Sequence, residues 1–365
     1  MSPGPKTSPL NRTYRRRDQA GCGFAFLLAA VLGLSACQRP APPTAETRIP
    51  PGLESRFYPP PGWTWARLDV ADAPPMRYGV GVQPKATRGA VLILPGFAEP
   101  AEAWFETAGE LIDAGYSVWV LDLAGQGGSG RWLSPPDKAH LPSMQPNLDA
   151  VRLMVSEVVR PASGTPFVLI GSGLGGQVAL RGAAAGLPEL DAVILSAPSL
   201  SASPLSVPWP FQNGVMAQGA RLVGLDGRYA PGQGEWRADA SRTAPAGSRA
   251  AVPQAWMRAN PHLRTGGATW GWIRAYGASL AATRSPSTLQ AVTVPVLMFD
   301  AGGGPGRAAC QALKACRYAP VPAGTPPHLL EGARRDAWAE AVDGFIARQS
   351  AGYSLATAPV AAAAP

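Results

Sequence analysis

A serine stands among glycines at residues 171–176, Gly-Ser-Gly-Leu-Gly-Gly, directly after the apolar run Phe167–Ile170. A carboxylate, Asp300, ends a later apolar run, and the chain contains three histidines: His140, His262 and His328. A hydroxyl, an imidazole and a carboxylate that meet in space carry out nucleophilic acyl transfer. The imidazole removes the hydroxyl proton, and the carboxylate orients the imidazole. The sequence therefore poses the question of which serine, histidine and carboxylate come together.

Other kinds of site find no support in the sequence. No His, Cys, Asp or Glu residues follow the spacing of a metal site, so we expect no metal and no cofactor. The glycine run Gly302–Gly304 follows a late strand and lacks the Lys-Ser/Thr of a phosphate-binding loop. The net charge is +8, but residues 1–36 hold five basic residues against Asp18, and no dense basic run follows Arg17. We therefore expect no nucleic-acid partner.

The N-terminus has the order of an export signal. The basic run Arg15–Arg17 precedes an apolar stretch, Phe24–Leu34, which is shorter than a bilayer-spanning helix. The following Leu-Ser-Ala-Cys, ending at Cys37, resembles the lipobox of bacterial lipoproteins. That resemblance implies removal of residues 1–36, acylation of Cys37 and attachment to a membrane. Gln38 resembles the outer-membrane sorting pattern, so we expect a periplasm-facing lipoprotein of the cell envelope, at the outer membrane rather than the inner one.

Two further cysteines, Cys310 and Cys316, would remain in an oxidising compartment after export. They lie six residues apart in a segment predicted to be helical. A continuous helix would rise about 9 Å over that distance and turn the two side chains to different faces. A disulfide therefore requires the helix to end before Cys316. The sequence leaves a disulfide and two separately buried thiols as alternatives.

Apolar runs of strand length alternate with segments of helical periodicity through most of the chain. The runs at 90–94, 117–121, 167–170, 192–195 and 294–299 predict buried parallel strands. This alternation predicts an α/β fold with a mostly parallel sheet and helices on both faces. We divide the chain into a signal (1–36), a Pro-rich tether (37–62), a core in two parts (63–199 and 291–349), an inserted cap (200–290) and a disordered tail (350–365). The cap is predicted because that interval is too long for a plain loop.

Four stretches, in order, resemble the lysophospholipase/monoacylglycerol-lipase-like (serine aminopeptidase-type) branch of the α/β-hydrolases. They are Leu94-Pro95-Gly96-Phe97, then Asp122-Leu123-Ala124-Gly125-Gln126-Gly127-Gly128-Ser129, then Gly171–Gly176, and finally the cap sequences Arg228–Gly232 with Gly266–Trp272. Ala124 stands where the family carries arginine. The resemblance implies the α/β-hydrolase fold and a capped site for lysophospholipid or monoacylglycerol-type esters over about residues 75–348.

In this family the nucleophile occupies the centre of a Gly-x-Ser-x-Gly turn between a strand and a helix. The strand Phe167–Ile170 and the glycines after Leu174 fix the register, so the resemblance assigns the nucleophile position to Gly173. Ser172 lies one residue earlier. Because adjacent residues of an extended chain point to opposite sides, we expect Ser172 to face away from the oxyanion-hole amides of Phe97 and Leu174. A remodelled turn that presents Ser172 is the alternative.

The acid and base positions are also assigned by resemblance. The acid position falls on Gly304, and Asp300, four residues earlier, is the neighbouring carboxylate. Asp300 either reaches the histidine or bonds local backbone. His328 stands before the last helix, where the family keeps its catalytic histidine, although Pro327 is the alternative occupant of that position. Glycine at 173 and at 304 removes both the nucleophile and the acid.

Three functions remain open. The first is a non-catalytic hydrolase homologue that binds a lipid, an acyl chain or another protein. The second is an active carboxylic-ester hydrolase that uses Ser172 and His328. The third is a structural envelope lipoprotein with a vestigial pocket. The cap aromatics either line an acyl-chain pocket or form the core of the cap; they are Trp209, Phe211, Trp256, Trp270 and Trp272.

Overall fold

The structure is a computed structural model that describes residues 46–82, 87–201, 214–238, 244–245, 247–301 and 304–356. The predicted signal segment 1–36, Cys37 and the cap residues Trp209 and Phe211 lie outside these ranges.

The described residues form an eight-stranded sheet with the order β1-β2-β4-β3-β5-β6-β7-β8. Its strands are β1 (Thr64–Leu68), β2 (Met76–Gly81), β3 (Ala90–Leu94), β4 (Ser117–Leu121), β5 (Phe167–Ser172), β6 (Ala192–Ser196), β7 (Val296–Asp300) and β8 (Cys316–Pro320). β2 pairs antiparallel with β1 and β4, and all other neighbours are parallel. The predicted mostly parallel α/β architecture is confirmed.

Helices cover both faces of this sheet and form the cap. They are α1 (Phe105–Asp113), α2 (Gln145–Leu153), α3 (Gly173–Ala184), α4 (Gly214–Leu222), α5 (Val252–Ala259), α6 (Trp270–Arg284), α7 (Pro286–Ala291), α8 (Gly304–Ala312) and α9 (Ala333–Ala356).

The buried central strands separate two hydrophobic layers. Successive residues of a strand point to opposite faces, so Leu92 joins the layer that contains α2, α3 and α7, whereas Ile93 joins the layer under α1 and α9. Both faces of β3 are buried along its whole length, as expected for a strand covered by helices on both sides. The layers fix the carboxyl ends of β3, β5 and β6 side by side at one edge of the sheet.

The cap lies between β6 and β7, as the length of that interval predicts. It contains α4, α5 and α6, and α6 also packs against the core helix α3. The side chain of Thr269 caps the first turn of α6 by accepting a hydrogen bond from the Trp272 N–H. Helix α7, within the predicted cap interval, packs on α3 and so belongs with the core.

Two predicted boundaries require correction. Part of the expected tether packs on the body, since Phe57 is buried with cap and core residues. Its aromatic side chain supplies apolar area that a Pro-rich linker alone lacks. The last helix extends to Ala356, into the segment predicted to be a disordered tail. Residues 350–356 contain no proline, so every residue there can donate its backbone N–H to the helix.

Cys310 and Cys316 form a disulfide with a Cα–Cα distance of 5.4 Å. Helix α8 ends at Ala312, and Cys316 begins β8. The chain reverses between them, which brings the two residues within bonding distance. Of the alternatives left open by the sequence, the structure therefore contains the bonded pair. Within the described residues no helix combines the length and apolar character needed to cross a bilayer.

Candidate functional site

The turn from β5 into α3 has the geometry of a nucleophile elbow with glycine at its apex. Ser172 ends the strand, and Gly173 begins the helix with a φ of +45°. Side chains rarely adopt this left-handed backbone conformation, and the strained nucleophile of an α/β-hydrolase is such an exception. The structure therefore places Gly173 where the fold presents its nucleophile.

A side chain at this apex would project toward the oxyanion loop. A Cβ built on Gly173 would lie 3.4 Å from Gly96 Cα, 3.6 Å from Ser199 Oγ and 4.0 Å from the Phe97 nitrogen. These are ordinary van der Waals distances, so the space is sufficient for a side chain. The apex therefore has room for a side chain, and glycine places no reactive group there.

The glycines on either side of the apex are required by close packing. A Cβ on Gly171 would lie 2.6 Å from the Gly175 carbonyl oxygen, and one on Gly175 would overlap the Leu94 carbonyl oxygen. The backbone of the elbow therefore passes directly against β3 and the start of α3. This packing is the physical reason for the Gly-x-x-x-Gly spacing around residue 173.

The two expected oxyanion-hole residues lie on either side of the open slot. Phe97 follows β3, and Leu174 is in the first turn of α3, where backbone N–H groups have no intrahelical acceptor. Gln126 holds the Phe97 loop in place, since its side-chain Nε2 donates to the Gly96 carbonyl oxygen at 2.7 Å. The backbone N–H groups that the sequence predicts for an oxyanion hole therefore lie beside the open position at Gly173.

Ser172 is 1% exposed and its hydroxyl is a hydrogen-bonding neighbour of the Glu99 carboxylate. It also pairs in register with Ser196 of β6, as a regular strand residue does. The side chain that the sequence offers as an alternative nucleophile is therefore below the apex, at the end of the strand, and directed to a carboxylate.

Glu99 connects the oxyanion loop to His328. Its Oε2 accepts a hydrogen bond from the Gly96 N–H at 2.5 Å, and its Oε1 lies 2.5 Å from His328 Nε2. The imidazole stacks on the buried Trp104 ring with a centroid distance of 3.7 Å. His328 is thereby held by Glu99 and Trp104, and Glu99 stands between this histidine and Ser172.

The electrostatics favour an ionised Glu99. Burial alone would raise the pKa of Glu99, but the charge and hydrogen bond of His328 act against it. Hydrogen bonds from the Gly96 N–H and the Ser172 side chain act in the same direction. The net effect is a pKa below the ordinary glutamate value. The buried Glu99 carboxylate therefore has hydrogen-bond partners on both oxygens, the Gly96 N–H on one and His328 Nε2 on the other.

The expected acid does not meet the histidine. Asp300 Oδ2 accepts a hydrogen bond from the Tyr318 hydroxyl at 3.3 Å, across to β8. Gly304 is exposed at the start of α8, and a Cβ there would have no atom within 4 Å. Among the described residues, His328 Nδ1 is buried without a hydrogen-bond partner. The expected pairing of Asp300 with His328 is therefore wrong. The carboxylate that contacts this imidazole is Glu99, and it contacts Nε2 and not Nδ1.

The other two histidines lie away from the elbow. His140 Nδ1 contacts Thr269 Oγ1 at 2.9 Å, where the core loop meets the cap. Burial lowers the pKa of both His140 and His262. Both therefore favour the neutral form and act as structural groups in the core–cap contact.

Two cavities meet at Phe97 and Ala98. The inner cavity has a volume of about 250 Å³. Its walls are Gly96, Phe97, Ala98, Glu99, Ser172, Gly173, Ala197, Ser199, Pro253, Pro326 and Leu329. The outer cavity has a volume of about 720 Å³. Its walls are Phe97, Ala98, Gly232–Arg237, Gln254 and Thr265–Gly267. The His328 ring belongs to neither wall, because Glu99 covers it.

The cap aromatics within the described residues are core residues. Trp256, Trp270 and Trp272 are buried, and Trp272 packs against Phe97 with a ring-centroid distance of 4.7 Å. Of the two readings left open by the sequence, the structure therefore supports cap core for these three tryptophans. Aromatic surface in the cavities comes instead from Phe97 and Trp236.

Sequence reasoning missed Glu99 and Ser199. Both follow the carboxyl end of a parallel strand, β3 for Glu99 and β6 for Ser199, on either side of β5. Because ligands of open α/β sheets bind outside the carboxyl ends of the strands, polar residues just after neighbouring strands are the signal that would have found them. No group of three or more metal-ligating residues is present in the part of the chain that the structure describes.

Comparison with known proteins agrees with this geometry. The family model described as serine aminopeptidase, S33, matches residues 85–304. The chain is similar to a probable lysophospholipase L2 of Haemophilus influenzae, with 24% identity over 60% of this chain and 69% of that protein. It is also similar to lysophospholipase L2 of Escherichia coli K12, with 25% identity over 50% of this chain and 55% of that protein.

A monoacylglycerol lipase of Mycolicibacterium smegmatis is 28% identical over 41% of this chain and 53% of its own length. The chain thus spans only about half the length of two of these three relatives. Among solved structures, a soluble variant of the monoglyceride lipase of Saccharomyces cerevisiae superposes with a TM-score of 0.60 and 16% identity. It covers 85% of this chain and 98% of the yeast protein. The family match, the sheet order and the elbow together show that the chain belongs to the serine aminopeptidase (S33) family of α/β-hydrolases, with lysophospholipases and monoacylglycerol lipases among its relatives.

Proposed function

We propose that this protein binds an amphiphile carrying an acyl chain and does not hydrolyse it. The observation that carries the proposal is Gly173, at the apex of the elbow and facing the Phe97 amide. Acyl transfer on this scaffold requires a nucleophile at that point, and loss of one triad member costs on the order of 10⁴–10⁶ in turnover.

The position of His328 also supports a protein that does not hydrolyse its ligand. A general base must lie within hydrogen-bond reach of the proton that it removes. His328 Nε2 is instead 2.5 Å from Glu99, and the ring lies behind that carboxylate. Activity therefore requires both a new nucleophile and a freed imidazole.

The retained cavities support binding. The outer cavity, at about 720 Å³, has the size of an ordinary small-molecule site. Backbone donors at Phe97 and Leu174 and the hydroxyl of Ser199 are available to an ester or carboxyl oxygen beside the open slot. The names of the relatives point to lysophospholipids and monoacylglycerols as the ligands to test first.

The test combines labelling, turnover and binding. The purified chain is treated with a fluorophosphonate probe and assayed with p-nitrophenyl butyrate. It is then titrated with lysophosphatidylcholine and with monooleoylglycerol while tryptophan fluorescence is followed. We expect saturable binding of at least one lipid, no labelling and no turnover. Failure of both lipids to bind would overturn the proposed ligand class.

A second candidate is ester hydrolysis that uses Ser172. It is favoured by one observation: Ser172 forms part of the inner cavity wall and is hydrogen-bonded to Glu99, which in turn bonds His328. Labelling and turnover that disappear in Ser172→Ala and persist in Ser156→Ala, a control at an exposed serine outside the cavities, would establish this candidate and overturn the non-catalytic one.

We further propose that the protein is an envelope lipoprotein, attached through Cys37 and facing the periplasm, at the outer rather than the inner membrane. The support is the lipobox-like Leu-Ser-Ala-Cys sequence after a basic and apolar segment. Stable anchoring requires more than one acyl chain, which a lipoprotein cysteine carries. Cys37→Ala is expected to release the protein from membranes in fractionated cells, and unchanged association with the membrane fraction would contradict lipidation.

A further inference from the structure

An N-terminal strap, residues 46–62, crosses from the cap to the core. At its start, Asn260 of the cap pairs with the backbone of Arg48. Asn260 Oδ1 accepts from the Arg48 N–H at 2.7 Å, and Asn260 Nδ2 donates to the Arg48 carbonyl oxygen at 2.8 Å. Asn260 is buried and follows α5 directly. One side chain therefore satisfies both polar groups of a strap residue, as a neighbouring strand would.

Phe57 anchors the middle of the strap. It is 2% exposed and packs in a cluster that joins the strap, α1 and the cap. The other members of this cluster are Phe105, Val252, Trp256, Met257 and Leu263. Burial of a phenylalanine side chain removes apolar surface from water and so stabilises this packing. The strap is thus fixed to α5 by apolar packing as well as by hydrogen bonds.

Charged groups tie the N-terminal end of α5, opposite Asn260, to the core. Arg249, just before α5, donates two hydrogen bonds to Glu106 of α1 at 2.7 and 2.8 Å. It also bonds Glu331 at 2.9 Å. Arg56 of the strap approaches the same Glu106 at 3.7 Å. The strap, the cap and the core therefore meet at one carboxylate.

Residues of helix α5 also form part of the walls of both cavities. Pro253 forms part of the inner cavity wall opposite Pro326 and Leu329 of the core, and Gln254 forms part of the outer cavity wall. Movement of α5 away from the core would therefore open both cavities. The strap contacts this helix through Phe57 and contacts the residue that follows it, Asn260, so such a movement would have to break these contacts.

We infer that the strap is a clamp that holds α5 closed over the cavities, so that opening of the cap requires release of the strap. This role concerns motion of the cap and does not depend on which ligand binds or on whether the site hydrolyses it. A failure of the proposed lipid binding leaves it standing, and the reverse also holds.

Hydrogen–deuterium exchange of the full chain tests the clamp without any ligand. Two variants loosen the strap: Phe57→Ala removes the apolar anchor, and Arg48→Pro removes the strap N–H that Asn260 Oδ1 accepts, while the bond from Asn260 Nδ2 to the Trp256 carbonyl oxygen of α5 stays in place. Tyr58→Ala is the matched control, because Tyr58 is the adjacent aromatic residue and is 37% exposed. Peptides from α5 are compared with peptides from β5 and α3.

We expect exchange in α5 to accelerate about tenfold or more in both loosened variants, because local opening governs exchange and each loses contacts made by the strap. Exchange in β5 and α3 should stay as in the wild type, and Tyr58→Ala should leave α5 unchanged. The clamp is overturned if α5 exchanges at the wild-type rate in Arg48→Pro. It is also overturned if every region accelerates equally, which would indicate a general loss of stability.

Discussion

His328 Nε2 lies 2.5 Å from Glu99 Oε1, so the imidazole nitrogen that would activate a nucleophile is bound to a carboxylate of the oxyanion loop. The Oε2 atom of the same carboxylate accepts the Gly96 N–H. The same carboxylate therefore fixes the loop that carries Phe97 and occupies Nε2 of the His328 imidazole.

Glu99→Gln should destabilise the protein by about 3 kcal/mol. The substitution keeps the shape of the side chain but removes the buried charge that accepts hydrogen bonds at both carboxylate oxygens, and loss of such a charge-assisted pair is costly. The measurement is the free energy of unfolding in urea at pH 7. Glu157→Gln is the control, since Glu157 is exposed. A loss no larger than that of the control would contradict a stabilising role for the ionised Glu99 carboxylate.

The stability that Glu99 provides should depend on pH in the acid range. Its pKa in the folded state lies below the ordinary value of 4.5. The contribution is therefore fully present above pH of about 4.5 and is lost as the pH falls through the folded-state pKa. The gap in unfolding free energy between the wild type and Glu99→Gln should shrink from pH 5 to pH 3. A gap that stays constant over this range would show that Glu99 carries no such shift.

Reduction of the Cys310–Cys316 disulfide should lower stability by about 2 kcal/mol. The bond closes a loop of only a few residues, so the entropy that it removes from the unfolded chain is at the low end. Thermal unfolding with and without dithiothreitol measures the effect. Cys316→Ser should unfold like the reduced wild type and should not respond to the reductant. If the wild type unfolds identically in both conditions, the bond contributes nothing to stability.

Local patterns in the sequence were sufficient for the central part of the fold. The apolar runs at 90–94 and 167–170 predict buried strands because a strand covered on both faces needs apolar residues at every position. The turn at Gly173 follows from the glycines that close packing requires around it. β1, β2 and β8 were not predicted, since strands nearer the sheet edge mix exposed and buried residues and lose the apolar signal.

The pairing of Glu99 with His328 could not be predicted in the same way. The two residues are 229 positions apart, and their contact depends on how the loop after β3 meets the turn before α9. The burial of Phe57 could not be predicted from the sequence either. A single aromatic residue among prolines gives no periodicity, so its burial against α5 becomes visible only when the cap is in place.

Gly173→Ser should fold but should not restore hydrolysis. A Cβ at this position makes its closest contact at 3.4 Å, so the side chain fits, while the φ of +45° costs a non-glycine residue about 1–2 kcal/mol. The new hydroxyl would face the Phe97 amide without a base to activate it, because His328 Nε2 remains on Glu99. Fluorophosphonate labelling and turnover of p-nitrophenyl butyrate should therefore stay at the level of the wild type.

The neighbouring variant Gly175→Ser separates the effect of position from that of the residue type. Its Cβ would overlap the Leu94 carbonyl oxygen, so this variant should lose far more stability than Gly173→Ser in urea unfolding. Stoichiometric labelling of Gly173→Ser would mean that His328, or another group, reaches the apex. In that case glycine at residue 173 would by itself explain a lack of hydrolysis in the wild type. The contact between Glu99 Oε1 and His328 Nε2 would then have to break in solution.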